Sequence, residues 1–199
     1  MTDAAEGAGH PAPGGGIVKF KVDTRTSRFT IQAFAGGMLS AIGHDPKFAA
    51  RDYTGEIECN PETGEGASLK LNIKAASLQL LDDFSSKDKQ TLEGSLQGEV
   101  LDSAKYPEIV YDSPASSTTV KHEGDGPFTV TLNGSLTLHG VTRRLTIPAT
   151  VFPSAAMIRA NGEFTVRQSD FQIQPVSVAG GTLKVKDELK CTFDIVARP

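Results

Sequence analysis

His44, Asp45 and Lys47 stand almost side by side in "GMLSAIGHDPKF" (37–48), and His139 sits beside Gly140 in "GSLTLHGVTRRLTI" (134–147). Imidazole, carboxylate and ammonium are the groups that hydrolytic and metal sites use. His44 and Lys47 also suit an anionic or carbonyl oxygen, met by charge or hydrogen bond. Each has a plainer alternative. Asp45-Pro46 is a turn-starting pair, so His44 to Lys47 reads first as a solvated loop. Arg143 and Arg144 form a basic pair at a hairpin, where such pairs are solvated, and are a weaker choice. The spacings argue against catalysis. The chain has no His-x-His, HExxH, G-x-S-x-G or P-loop pattern. "GEGAS" (64–68) is glycine-rich but lacks the lysine and helix of a phosphate loop. With four histidines in all, one of them His10 near the start, a His-rich metal site is not expected. Neither an enzyme, nor a metal, nor a cofactor is expected.

The two cysteines lie in alternating runs, Ile57 with Cys59 and Leu189 with Cys191 and Phe193. They read as buried thiols acting as small hydrophobes. A bridge between them requires neighbouring strands, which the order of residues does not reveal. There is no CxxC redox or zinc pattern.

The elements that must carry these residues are strands. Val18, Phe20 and Val22 alternate with Lys19 and Lys21; Leu69, Leu71 and Ile73 alternate with Lys70 and Asn72. Period-two runs with one greasy and one wet face are the mark of antiparallel strands. Two Asn-Gly pairs resemble hairpin turns, but the phase runs straight through them. Phe128, Val130, Leu132, Gly134, Leu136 and Leu138 keep one alternation, as do Ile158, Ala160, Gly162, Phe164 and Val166. Long strands with inward glycines favour a small closed barrel over a sandwich. The hairpin after Leu138 is expected to close through a four-residue loop, Gly140 to Arg143, with Leu138 facing Leu145 and His139 facing Arg144. His139 is then a polar residue at a strand end. One segment breaks the period. In residues 84–101, Leu92, Leu96 and Val100 recur every fourth position behind Ser85 and Ser86, which predicts one helix near residues 85–101.

The 199 residues suit one domain. Hydrophobic content of 38% and charge of 22% place it among globular chains, and a net charge of −4 offers no basic face for nucleic acid. Residues 1–16, rich in glycine and proline, are expected to be a disordered tail, and residues 17–199 the barrel domain. No run spans a bilayer, and the start lacks a secretory pattern. A cytoplasmic location is expected as written, periplasmic if a leader has been removed.

Taken together, "GSLTLHGVTRRLTI", "DSAKYPEIVYDS" (102–113) and "RQSDFQI" (167–173) resemble the G-x-L-T-x-H-G-V-T, K-Y-P-x-I and R-S-D-F-G elements of the YceI-like family. Val22-Asp23 and Ser27 resemble its I-D-x-x-H-S opening. Thr26 stands where that opening usually has His, and Gln172 where Gly follows the Phe. Residues 37–48 are similar to one branch only. The likeness implies an all-β, antiparallel up-and-down lipocalin-like barrel of about eight strands, with the helix inserted, around an apolar tunnel. It further implies non-catalytic binding or carrying of a long apolar ligand, a polyisoprenoid or an isoprenoid quinone. Many members are periplasmic. The phase alone fits an open tunnel or a barrel filled by side chains; the resemblance favours the tunnel. The expected lining is Phe29, Ile31, Leu69, Leu71, Ile73, Phe128, Val130, Leu132, Leu136, Leu138, Leu145, Ile147, Phe164 and Phe193, with His44 and Lys47 as headgroup contacts. Transient membrane contact and a homodimer stay open as partners. The alternatives are a ligand-free interaction or stress scaffold and, less favoured, a hydrolytic or metal-dependent enzyme.

Overall fold

The structure, a computed structural model, describes residues 16–36, 45–122, 124, 126–175, 177–178 and 183–199. The expected tail, apart from Gly16, and the headgroup candidate His44 lie outside the described residues.

The strands in chain order are β1 Val18–Val22, β2 Arg28–Gln32, β3 Ala35–Gly36, β4 Lys47–Ala50, β5 Tyr53–Cys59, β6 Ser68–Lys74, β7 Leu78–Leu80, β8 Glu108–Ser113, β9 Thr118–Lys121, β10 Phe128–Leu138, β11 Val141–Pro153, β12 Ile158–Arg167, β13 Ser177–Val178, β14 Leu183–Val185 and β15 Glu188–Arg198. All pairings are antiparallel. The order β1-β5-β6-β8-β10-β11-β12-β15 returns to β1 and closes an eight-stranded barrel. This is the architecture the alternation and the resemblance led us to expect.

Half of the wall is built from broken strands. β1 and β2 both pair with β15, and Val22 opposes Ala197 while Arg28 opposes Asp194, so the turn at 23–27 adds three residues to one line of the wall. β4 with β5, β6 with β7, and β8 with β9 continue in the same interrupted manner. The other half, β10, β11, β12 and β15, runs unbroken for 10 to 13 residues. Both Asn-Gly pairs lie inside these long strands, as the unbroken phase predicted. Gly134 is there for close approach. A Cβ would fall 2.6 Å from the Tyr111 ring and 2.5 Å from the Asp112 carbonyl. The space it frees lets the Tyr111 hydroxyl contact the Leu132 and Leu145 carbonyls and accept from the Gly134 amide.

The β10–β11 hairpin differs from the expected four-residue loop. Leu138 faces Val141, and His139-Gly140 alone make the turn, with φ of 52° and 73°. Two successive positive φ values match the twist of the flanking strands. Ser135, not His139, faces Arg144, and Leu136 faces Arg143. The inference that leucine must oppose leucine failed because the barrel rim slants. Leu136 is buried on β10, whereas Arg143 opposite it is exposed.

The helix comes as expected, but in two parts. Ser85 caps it, its hydroxyl accepting from the Asp88 amide at 3.2 Å. The regular helix, α1, covers Ser86–Ser95, and a wider π-type turn covers Leu96–Val100. No residue of either part is fully buried. The segment lies across the barrel as a cover, held where Glu93 accepts the amide of Leu80 on the edge strand β7 at 2.8 Å.

Candidate ligand cavity

The inward faces of the barrel enclose a cavity of about 560 Å³. Of the fourteen expected lining residues, Phe29, Ile31, Leu69, Leu71, Ile73, Leu132, Leu136, Leu138, Leu145, Ile147, Phe164 and Phe193 line it. Phe128 and Val130 face a second, much smaller void of about 70 Å³ towards the opposite end. Leu69, Leu132, Phe193 and Ile195 border both spaces. They form the waist between the two chambers.

Several wall residues were within reach of the sequence reading. Cys191 and Ile195 share the phase of Phe193, and Leu92, Leu96 and Val100 were the residues whose spacing revealed the helix. Others had no periodic signal: Pro46, Phe84, Leu101 and Ile173 belong to turns and connections. Gln168 was missed altogether. It is polar and follows an exposed arginine, yet only 4% of it is accessible and it lines the cavity.

No charged side chain of a described residue lines the cavity. Its polar members are Tyr111, Thr91, Ser95 and Gln168. The Tyr111 hydroxyl accepts the Gly134 amide and has its one proton between the Leu132 and Leu145 carbonyls, and burial pushes its phenol above the usual range. The Thr91 hydroxyl donates back to the Lys87 carbonyl. Lys47 is exposed on β4 and absent from the lining, while its neighbours Pro46 and Phe48 point in. Asp45 serves the loop, accepting the Ala35 amide at 2.8 Å. Cys59 and Cys191 are free thiols on strands that do not pair with one another. Burial pushes them to about 11 and about 12, so both stay protonated and unreactive at neutral pH.

The motif residues converge elsewhere. The His139 ring packs on Tyr106 with centroids 4.5 Å apart, and its Nδ1 meets the Phe171 carbonyl at 3.3 Å. Lys105 stands 5.0 Å over the Tyr106 ring. The three segments "AKYP", "LHGVT" and "QSDF" therefore meet in one clasp at a barrel end. The opening segment makes a second clasp. The buried Ser27 hydroxyl donates to the Val196 carbonyl at 3.1 Å and accepts the Val196 amide at 2.9 Å, and Asp23 donates its amide to the same carbonyl. Asp23 also lies near Arg25 and Arg198. Its carboxyl is held below the usual range, chiefly by the Arg25 amide. No cluster of His, Cys, Asp or Glu suited to a metal occurs among the described residues, and no described helix is long and apolar enough to cross a membrane.

Known proteins resemble this chain in sequence or in fold. A UPF0312 protein of Pseudomonas syringae pv. tomato is 30% identical over 173 residues, covering 83% of this chain and 82% of its own. A UPF0312 protein of Pseudomonas putida is 33% identical over 119 residues, 59% of this chain and 56% of its own. Among solved structures, Burkholderia cenocepacia BcnA superposes with a TM-score of 0.66 at 20% identity, over 88% of this chain and 98% of that one. A polyisoprenoid binding domain from Saccharophagus degradans gives 0.63 at 14% identity, over 90% and 97%. The model of the YceI-like domain matches residues 20–197, nearly the whole barrel with both of its clasps, and by that match the chain belongs to the YceI-like family.

Proposed function

We propose that the protein binds and carries a long apolar lipid of the isoprenoid class, a polyprenyl lipid or an isoprenoid quinone, inside its barrel. The observation that carries this reading is the cavity of about 560 Å³, walled almost wholly by hydrocarbon and aromatic side chains. That volume lies within the range of cavities that enclose small-molecule ligands, about 300–1,000 Å³. Branched aliphatic walls of Leu, Ile and Val suit a branched chain. Each buried methylene is worth about 0.8 kcal/mol against water. A prenyl lipid leaves a bilayer rather than water, so the net preference for protein over membrane is small, which suits a carrier. The structural neighbour from Saccharophagus degradans, described as a polyisoprenoid binding domain, supports the same class of ligand.

Organic extraction and native mass spectrometry of the purified protein test it. An isoprenoid mass is expected to accompany the wild-type chain. Leu136→Arg, which drives a charge into the lining, is expected to abolish uptake. A protein that yields no lipid and takes up no added prenyl chain would instead be a scaffold that displays its loops.

A further inference from the structure

We infer that Gln168 reads the polar end of the guest, and that this end is an uncharged hydroxyl, as in a long-chain alcohol or a hydroquinone, rather than a phosphate ester. The inference deepens the carrier reading and rests on it.

Gln168 opens the short 3-10 turn Gln168–Phe171 that ends β12. Its backbone amide donates to the Asp187 carbonyl at 3.0 Å, and its side-chain Nε2 donates to the Lys186 carbonyl at 2.9 Å. Asp187 in turn takes the amide and hydroxyl of Ser169 at 2.7 and 2.6 Å. The side chain is therefore held at its amide nitrogen, on a backbone position itself tied to Asp187. Turning the amide over would set two carbonyl oxygens against each other, so Nε2 stays on Lys186, and Oε1 with the second Nε2 hydrogen remains for a guest. Oε1 has no protein partner among the described residues.

A carbonyl oxygen accepts and cannot donate. A guest that presents a hydroxyl satisfies it; a guest that presents an ether or a quinone carbonyl leaves it bare. A phosphate would be worse still. Gln168 is 4% accessible, so a group touching it has lost its water, and no described lining residue is cationic. Burying an unpaired anion beside a carbonyl dipole is strongly unfavourable. The other polar wall residues do not substitute. Tyr111 is already committed, and Thr91 and Ser95 lie on the cover helix where water reaches them.

The test uses the full, lipid-stripped chain and three probes of one chain length: geranylgeraniol, its methyl ether and its monophosphate. The wild type is expected to bind the alcohol about five- to tenfold more tightly than the ether, the span of one net hydrogen bond, and the phosphate more weakly than the alcohol. In Gln168→Leu the alcohol–ether gap is expected to close to within about twofold. Gln168→Met, closer in length, serves if the leucine variant does not fold, and the wild-type series alone also decides. Equal binding of alcohol and ether by the wild type, or a tighter phosphate, overturns the role of Gln168 and leaves the carrier reading standing. Failure of all three probes to bind overturns both.

Discussion

His139 holds its position by shape more than by proton chemistry. It sits in a left-handed conformation at a two-residue turn, stacks on Tyr106, and ties the turn to Phe171. An aromatic contact and a neutral hydrogen bond are each worth about 1 kcal/mol. His139→Ala is therefore expected to cost about 1–2 kcal/mol in chemical unfolding while uptake of a prenyl probe stays near the wild-type level. Loss of uptake by a well-folded variant would place the residue in the binding machinery instead. The same clasp explains what the motifs in the sequence signal. The segments most useful for recognising the family hold strand ends together, and the cavity they frame is lined by residues with no signature beyond their phase. Gln172 belongs to this end as well. It is left-handed at φ 59°, a conformation glycine takes without strain, in keeping with the glycine that usually follows the Phe.

At the scale of elements, the cover segment is the loosest part of the barrel's enclosure. None of its residues is fully buried, and Gly94 and Gly98 face open space. Few buried contacts mean a low cost of local opening. Glu93 is the polar tie to β7, so Glu93→Ala is expected to release that edge and speed exchange of a bound prenyl probe severalfold, with global stability changed by about 1 kcal/mol or less. Stopped-flow transfer to vesicles would measure it. Unchanged exchange would mean that the guest leaves by another route. The spacing of Leu92, Leu96 and Val100 revealed this segment because a helix that covers grease needs one greasy face. Its change to a wider turn at Leu96 was not legible, since neither composition nor spacing distinguishes the two forms. The β10–β11 turn was misjudged for a related reason. Phase gives the face of a residue, but not how far the barrel rim extends on each strand.

For the whole molecule, the buried titratable groups point one way. Burial raises Cys59 to about 11 and Cys191 to about 12, and it raises the phenols of Tyr53 and Tyr111. Groups raised in the folded state keep protons that the unfolded chain releases, so their contribution is complete below the unfolded thiol value of 9.0 and is lost as pH climbs towards the folded values. The urea midpoint is expected to be flat near neutrality and to fall above about pH 9, and less steeply in Cys191→Ala. An unchanged slope in that variant would mean that the thiol is not shielded as its burial implies. The carboxylates held low, among them Glu56, Glu108 and Asp194, have solvated partners, so acid should weaken the fold only modestly.

β15 lies against β12 on one side and against both β1 and β2 on the other, and its union with β1 consists of two residue pairs, Lys21 with Arg198 and Val22 with Ala197. It is also the last described strand to leave the ribosome. Without it the barrel cannot close, and the apolar face that the other strands turn inward stays uncovered. Folding must therefore wait for a contact between residues nearly 180 positions apart, and nascent chains depend on whatever shields that surface in the meantime.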